Sequence, residues 1–134
     1  MDDSPRRPGR AARRPDRPPR RHDHLALGRH GEDLVVAWYA QRGLVVLARN
    51  WRCAQGELDI VLRDGPVLVC CEVKTRSSAR FGSPLEAVDR RRVGRLRAAA
   101  AAFLRAERPG GIDEVRFDVA AVVGNRVQVV PAAF

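Results

Sequence analysis

The sequence has no hydrophobic run long enough to cross a membrane as a helix. A spanning helix needs about 20 consecutive apolar residues, and charged residues interrupt the apolar stretches of this 134-residue chain before they reach that length. The basic residues near the N-terminus are followed by no apolar segment of the kind found in secretory signals. These absences exclude an integral membrane protein with helical spans, and we expect no secretory signal.

Cysteine is scarce, and its spacing is not that of a zinc site. The chain has three cysteines, an odd number, and none of their spacings is typical of a zinc finger. Cys70 and Cys71 are adjacent, so their side chains would point to opposite faces of a strand. We therefore expect three reduced thiols and a cytoplasmic location.

Lysine is almost absent from a chain that is otherwise strongly basic. Lys74 is the only lysine among 25 basic residues, which face 16 acidic ones, and the formal net charge is +9. A basic domain of this kind favours a polyanionic partner, with nucleic acid first and an anionic membrane surface second. Hydrophobic residues make up 45% of the chain, enough for one packed core in a single domain.

Residues 1–24 differ from the rest in composition. They contain eight arginines and five prolines but no Val, Ile, Leu, Phe, Trp or Tyr. Without large apolar side chains this segment cannot offset the entropy of ordering, so we expect a disordered basic tail before a domain at 25–134. A solvated tail, a phosphate-binding arm and a membrane-surface segment are all compatible with this composition.

The remaining chain predicts an α/β fold in which a mixed sheet is flanked by helices. Hydrophobic periodicity and turn residues indicate, in order, a helix at 25–42, strands at 44–49, 57–63 and 67–74, a helix at 83–106, and strands at 115–123 and 126–130. Segments 50–56 and 75–82 are predicted loops. Ser83, Pro84 and Glu86 have the pattern of a capping box at the start of the second helix.

The Asp64-Gly65 pair predicts a two-residue hairpin loop between the second and third strands. In that register Asp59 lies opposite Cys70, and residues that pair directly share a face. One face then carries four charged residues: Glu57, Asp59, Glu72 and Lys74. The other face is apolar and is the predicted core face: Ile60, Leu62, Val67, Val69, Cys71 and Val73.

Three carboxylates beside one ammonium are suited to binding a divalent cation. Carboxylate oxygens suit Mg²⁺ or Mn²⁺. A metal held there could polarise a phosphoryl oxygen and activate a water molecule. Lys74 could orient that water or help to deprotonate it. The alternative is an ordinary solvent-facing strand face. Two features favour the metal site: the charges end an apolar strand at 67–71, where burial is costly, and lysine, unlike arginine, can release a proton.

Asp59 followed by Glu72-Val73-Lys74 resembles the signature of the restriction-endonuclease-like PD-(D/E)xK nuclease superfamily. A longer ordered string is similar to the YraN-like bacterial proteins, also called uncharacterised protein family 0102, over residues 25–134. That string comprises Gly28-x-x-Gly31-Glu32, Asn50-x-Arg52, Gly56-Glu57-Leu58-Asp59, Glu72-Val73-Lys74-x-Arg76, Phe81-Gly82-x-Pro84 and Arg116-Phe117-Asp118.

The resemblance implies a three-layer endonuclease-like core. Together with the cluster of acids and one lysine in a strongly basic domain, it leads us to expect a nucleic-acid-binding protein that acts as a Mg²⁺-dependent (or Mn²⁺-dependent) endonuclease on phosphodiester bonds of DNA, with branched or structured DNA as a candidate substrate. Mapped onto this sequence, the resemblance implies that Asp59, Glu72 and the Val73 carbonyl hold the metal. Glu57, on the same predicted strand face, is a further candidate from the hairpin pattern. Lys74 takes the catalytic lysine role, and Glu32 completes the site from the first helix. The resemblance implies no small-molecule cofactor. Because such enzymes often act as dimers, a homodimer is kept as an open alternative.

Arginines near the predicted site are candidates for nucleic-acid binding. Arg76 and Arg80 follow the third strand, and Arg91 and Arg95 share one face of the second helix. A solvated helix face is the alternative.

Three further interpretations concern other residues and the function. Trp51 is either a base-stacking residue or a partly buried loop residue, and Arg116 with Asp118 predicts a structural ion pair. The alternative function is a non-catalytic nucleic-acid-binding module on a nuclease-like fold.

Overall fold

The computed structural model describes residues 21–76 and 88–134 of the chain. They form two helices and five strands in the predicted order: α1 Arg21–Ala40, β1 Val45–Cys53, β2 Gly56–Asp64, β3 Val67–Arg76, α2 Arg90–Glu107, β4 Glu114–Val123 and β5 Arg126–Val130. Among the residues described, no helix combines the length and the apolar character needed to span a membrane.

The five strands form one mixed sheet in the order β1-β2-β3-β4-β5. β3 and β4 are parallel, and the other neighbouring pairs are antiparallel. Two parallel strands require a long crossover connection, and α2 lies in the connection between β3 and β4. In this strand order β3 is the central strand, hydrogen-bonded to β2 on one side and to β4 on the other.

The helices cover opposite faces of the sheet. Val35 and Tyr39 of α1 pack with Val69 and Cys71 of β3, whereas Leu68 and Cys70 of the same strand pack with α2. Neighbouring residues of a strand point to opposite faces, so the two hydrophobic clusters lie on either side of the sheet. The predicted α/β fold, a central mixed sheet flanked by helices in three layers, is confirmed.

Helix α1 and strand β1 are both longer than predicted. α1 begins at Arg21 rather than near residue 25, and the first 20 residues of the predicted tail lie outside the described residues. The predicted loop from Asn50 is wrong, because β1 continues to Cys53 and Trp51 pairs with Leu58. Asn50 has a positive φ of 52°, which asparagine tolerates better than most residues.

The predicted start of the second helix must also be corrected. Ser83 and its capping box lie outside the described residues, but Asp89 is extended, with φ −100° and ψ 177°, and accepts a hydrogen bond from the Arg92 N–H. Asp89 is thus the N-cap of α2, and one continuous helix from Ser83 is wrong. An aspartate at this position satisfies a backbone donor that has no partner inside the helix.

The turn between β2 and β3 is Gly65-Pro66, not Asp64-Gly65. Asp64 pairs with Val67, and Val61 pairs with Cys70. Proline has no N–H to donate to a strand ladder, and Gly65, at φ 59°, suits the first central position of a type II′ turn. The register therefore differs by two residues from the predicted one, which keeps every side chain on its predicted face because the pleat repeats every two residues.

A buried polar cluster joins α1, β4 and the C-terminal segment. Asp118 is fully buried and accepts hydrogen bonds from Tyr39 Oη at 2.5 Å, from the Arg116 guanidinium at 2.9 and 3.1 Å, and from the Ala132 N–H at 3.0 Å. Burial and the Asp118 carboxylate raise the pKa of Tyr39. The predicted Arg116–Asp118 ion pair is confirmed.

Helix α1 approaches β3 closely at Gly31. A Cβ atom added there would lie far inside van der Waals contact with Thr75 Oγ1. A glycine at this position lets the helix lie directly on the end of the central strand, and the next residue is Glu32. This close approach thus brings the α1 carboxylate towards the strand that carries Glu72 and Lys74.

We expect the Asp118 cluster to contribute strongly to stability. Removing one neutral donor with Tyr39→Phe should cost about 1–2 kcal/mol. Asp118→Ala should cost about 3–5 kcal/mol, because it leaves a partly buried arginine without its partner. Urea unfolding followed by circular dichroism measures both changes, and midpoints equal to that of the wild type would contradict this prediction.

The Gly31 contact predicts a reversal of sign in a double-mutant cycle. Gly31→Ala alone should destabilise the protein by about 1–3 kcal/mol, because the added methyl group overpacks the contact with Thr75. In a Thr75→Ala background the same change should be neutral or stabilising, since alanine has the better helix propensity by about 1 kcal/mol. Equal effects of Gly31→Ala in both backgrounds, measured by urea unfolding, would show that this contact is unimportant.

Candidate functional site

The candidate site lies where β3 separates from β2. The pairing of β2 with β3 reaches Ile60 and Cys71, whereas β3 stays paired with β4 through Glu72, Lys74 and beyond. Past Cys71, the Val73 N–H donates a hydrogen bond to Asp59 Oδ2 at 2.9 Å. An aspartate side chain, rather than a backbone carbonyl, thus accepts from β3 at the point where the two strands part.

The structure brings most of the predicted site residues to one cavity. The cavity measures about 330 Å³ and is lined by Gly28, Glu32, Asp59, Glu72, Val73, Lys74, Thr75 and Arg92. Glu57 does not line it. That residue faces two neighbouring cavities that also contain Asp59, and its carboxylate lies 3.7 Å from Arg52 Nε. Asp59 is therefore the residue at which three cavities meet.

Glu72 is a buried carboxylate with unequal oxygens. Its side chain is 1% exposed, and Oε2 contacts the Arg92 guanidinium and lies 3.6 Å from Lys74 Nζ. Oε1 is buried and has no hydrogen-bond partner among the residues that the structure describes. A buried carboxylate is costly unless it is compensated, so Arg92 and Lys74 are what allow a charged Glu72 here.

The side chain of Asp59 has a raised pKa. Burial and the neighbouring Glu72 carboxylate raise the pKa of Asp59 to about 7, although the hydrogen bond from Val73 acts in the opposite direction. Two carboxylates this close repel each other unless a proton or a cation is taken up. At neutral pH this pair is therefore poised to bind positive charge.

Glu32 reaches the cavity from α1 and is held there by residues of β1. Its Oε1 accepts a hydrogen bond from Asn50 Nδ2 at 3.0 Å and lies 3.8 Å from the Arg49 guanidinium. The side chain is 13% exposed. The first helix thus contributes a carboxylate to the cavity of Asp59 and Glu72, which is where the resemblance implied it.

The donor set is compatible with a metal that needs few protein ligands. In residues 21–76 and 88–134, no group of three or more His, Cys, Asp or Glu side chains forms a ready-made metal cluster. Mg²⁺, however, is commonly held by one or two carboxylates, with water and substrate phosphate completing its coordination. Glu72, whose Oε1 has no hydrogen-bond partner in the described part of the chain, lines the cavity with Asp59 and fits this kind of site.

The contact between Arg92 and Glu72 is the feature of the site that the sequence analysis missed. The arginines at the start of the second helix are candidates for phosphate contact or for a solvated helix face, but Arg92 precedes Leu96, Ala99 and Phe103 at intervals that place all four on one helix face. Those three are buried against the sheet. The helical period was therefore the signal that could have found Arg92.

The predicted nucleic-acid-binding arginines occupy different surroundings. Arg95 lines a cavity of about 230 Å³ with Arg92, Asp59 and Glu57, and Arg91 is exposed in the first turn of α2. Arg76 ends β3, whereas the predicted contribution of Arg80 lies outside the described residues.

Trp51 has a packing role on the α2 side of the sheet. Its Nε1 donates to Glu107 at 3.1 Å, and its ring meets Phe103 edge-on at 5.2 Å. The structure therefore supports the partly buried interpretation of this residue, within a strand rather than a loop. All three cysteines are free.

The raised pKa of Asp59 predicts a pH dependence of stability without metal. Aspartates of the unfolded chain titrate near pH 3.9, so between about pH 4 and pH 7 the native protein binds the additional proton. The stabilising contribution of that proton is complete below this interval and is lost as the pH rises through about 7. Asp59→Asn should flatten this decline in urea unfolding at several pH values, whereas Asp113→Asn, at an exposed position, should not. An unchanged slope in Asp59→Asn would contradict the assignment.

Comparison with known proteins agrees with the predicted family. The model of "Uncharacterised protein family UPF0102" matches residues 31–122. The chain is 56% identical over 97 residues to a UPF0102 protein of Frankia alni, covering 72% of this chain and 80% of that relative. It is 46% identical over 123 residues to a UPF0102 protein of Acidothermus cellulolyticus, covering 81% and 93%. The chain therefore belongs to uncharacterised protein family UPF0102, the YraN-like proteins.

Proposed function

We propose that this protein is a divalent-metal-dependent endonuclease that hydrolyses phosphodiester bonds of DNA. The observation that carries the proposal is the Glu72 carboxylate: it is buried in the central strand where β2 and β3 part, one oxygen has no partner within the described chain, and it shares a cavity with Asp59 and Lys74. A buried, incompletely satisfied carboxylate beside a second one with a raised pKa is typical of a functional site.

Asp59, Glu72 and the carbonyl of Val73 are the groups that would hold Mg²⁺ or Mn²⁺. A bound metal of this kind supplies Lewis acidity at a phosphoryl oxygen and lowers the pKa of coordinated water. Lys74 keeps a positive charge 3.6 Å from Glu72 Oε2 and is one-third exposed, so it can reach both the carboxylate and an entering phosphate. Its role is to orient the attacking water and to stabilise negative charge that develops on the phosphate.

The charge around the site suits a polyanionic substrate. The chain carries a net charge of +9, and arginines line the cavities on both sides of Asp59: Arg29 and Arg52 in one, Arg92 and Arg95 in the other. Arginine contacts to phosphate supply affinity without reading base sequence. We therefore expect backbone contacts on both sides of the bond to be cleaved, and a substrate chosen by its shape, such as branched or structured DNA.

One observation favours a second function, a non-catalytic nucleic-acid-binding module. Arg92 and Lys74 already compensate Glu72 without any metal, so the acidic pair has a place in the fold that requires no catalysis. In that case binding to DNA would persist in the presence of EDTA and in Glu72→Gln, and no substrate would be cleaved.

The decisive experiment compares cleavage of branched, flapped and single-stranded DNA by the wild type and matched variants in Mg²⁺. Lys74→Ala and Glu72→Gln should each lower the cleavage rate on the order of 10²-fold or more. Lys74→Arg keeps the charge but replaces a compact ammonium with a larger planar guanidinium. It should retain DNA binding and lose most of the cleavage, because the guanidinium cannot orient the water in the same way. Arg105→Ala, an exposed residue in the last turn of α2, is the control. Equal cleavage by all of these proteins, or activity that survives EDTA, would refute the proposal.

A further inference from the structure

Arg92 is a charged residue on the buried face of α2. Its side chain, 36% exposed, precedes Leu96 by one helical turn, and Leu96 is buried in the core between α2 and the sheet. The backbone of Arg92 is fixed by the N-cap, because its N–H donates to Asp89 Oδ1 at 2.9 Å. The guanidinium points to Glu72 of β3, whereas the neighbouring Arg91 is exposed to solvent.

The contacts of this guanidinium are incomplete. One terminal nitrogen binds Glu72 Oε2, but the Nε atom is buried and has no hydrogen-bond partner in the part of the chain that the structure describes. Glu72 Oε1 is likewise without a partner there. Leaving a buried donor and a buried acceptor unpaired is costly, so each group retains a hydrogen-bonding position that a ligand could fill.

Arg92 also stands between two cavities. It lines the cavity that contains Glu72 and Lys74, and it lines the one that contains Arg95 and Glu57, with Asp59 common to both. A change of side-chain torsion would therefore carry the guanidinium from the carboxylate to a neighbouring space in which Arg95 already supplies a second guanidinium.

The charges near Glu72 make a divalent cation and Arg92 competitors. Without metal, Arg92 and Lys74 face three carboxylates of the cavity, those of Glu32, Asp59 and Glu72, so Glu72 depends on the positive charge of Arg92. A divalent cation on those carboxylates would lie near the guanidinium, and like charges at such separations repel. The cation and Arg92 cannot both compensate Glu72 fully.

We propose that Arg92 is an internal counter-ion for Glu72 that is exchanged for a divalent cation and then binds a phosphate of the nucleic acid. The inference rests on the proposed function and adds to it that Arg92 pairs with Glu72 before the metal binds and with a phosphate afterwards. The planar guanidinium matches phosphate oxygens with two parallel hydrogen bonds, and Arg95, three residues further along α2, lines the same cavity as a second phosphate partner. Metal binding and substrate binding are thereby coupled, because the cation frees the group that the phosphate needs.

The test uses the full-length protein and the substitution Arg92→Met, with Arg105→Met as the control for loss of one positive charge on the same helix. Methionine keeps an apolar stem, and the N-cap is preserved because it uses the backbone N–H. Isothermal titration with Mn²⁺ should show tighter binding to Arg92→Met than to the wild type, on the order of tenfold, because the competing cation is gone. The metal-dependent rise of the melting temperature should increase in the same variant.

DNA binding should change in the opposite direction. In a Lys74→Ala background, which avoids cleavage, fluorescence anisotropy with a branched DNA in Mg²⁺ should show weaker binding for Arg92→Met. The magnitude of the slope of log affinity against log salt concentration should fall by about 1, which corresponds to the loss of one phosphate contact. Arg92→Lys supplies a measurement that does not depend on the folding of Arg92→Met: it should keep Mn²⁺ affinity within about twofold of wild type and still weaken DNA binding, since an ammonium lacks the guanidinium fork.

The outcomes separate this inference from the proposed function. If the wild type binds Mn²⁺ and cleaves DNA but Arg92→Met binds Mn²⁺ equally or more weakly, Arg92 does not compete with the metal and the inference is overturned. Unchanged DNA affinity in Arg92→Lys would overturn the phosphate contact. If neither wild type nor variant binds Mn²⁺ and no DNA is cleaved, the proposed function fails and the exchange fails with it.

Discussion

The structure around the site depends on the cost of burying the Glu72 carboxylate. The residue lies in the central strand, just past the last β2–β3 pair, and is 2% exposed, so a positive charge must be brought close to it. α2 provides Arg92, and β3 itself provides Lys74 two residues later. On the other side of the sheet, Gly31 allows α1 to lie against Thr75, which brings Glu32 into the same cavity. The positions of both helices are thus tied to one strand end.

The hairpin shows why a wrong register can still give the right face. The predicted turn was displaced from the real one, Gly65-Pro66, because a proline is better placed in a turn than in a ladder. Since the error was two residues, the side-chain alternation was unaffected. Its consequence was local: Asp59 lies beside the Val73 N–H and Glu72 rather than opposite Cys70. The face on which a strand residue lies depends only on the two-residue repeat of the pleat, whereas its cross-strand partner depends on the position of the turn.

Helix α2 illustrates a different limit. Its interior was predictable, because Leu96, Ala99 and Phe103 repeat at helical spacing, but its start was not. Both Ser83 and Asp89 are residue types that favour N-caps, so the sequence alone does not select Asp89, which is the N-cap of α2. The role of Arg92 follows from the packing of the helix, since three consecutive arginines look alike until the sheet shows which one faces Glu72. β1 was cut short in the prediction because Asn50 is typical of a turn, yet it occurs within the strand at a positive φ.

The sequence alone determined the order of the elements, the two faces of the β2–β3 hairpin, and the family to which the chain belongs. These are local properties, recorded in periods of two and 3.6 residues and in short ordered motifs. Only the tertiary structure decided that Arg92 meets Glu72, that Asp59 has a raised pKa, and that Glu57 faces Arg52 instead of the shared cavity. The reason is that burial and ionisation depend on which distant segments come into contact, and that is set by the packing of two helices on one sheet.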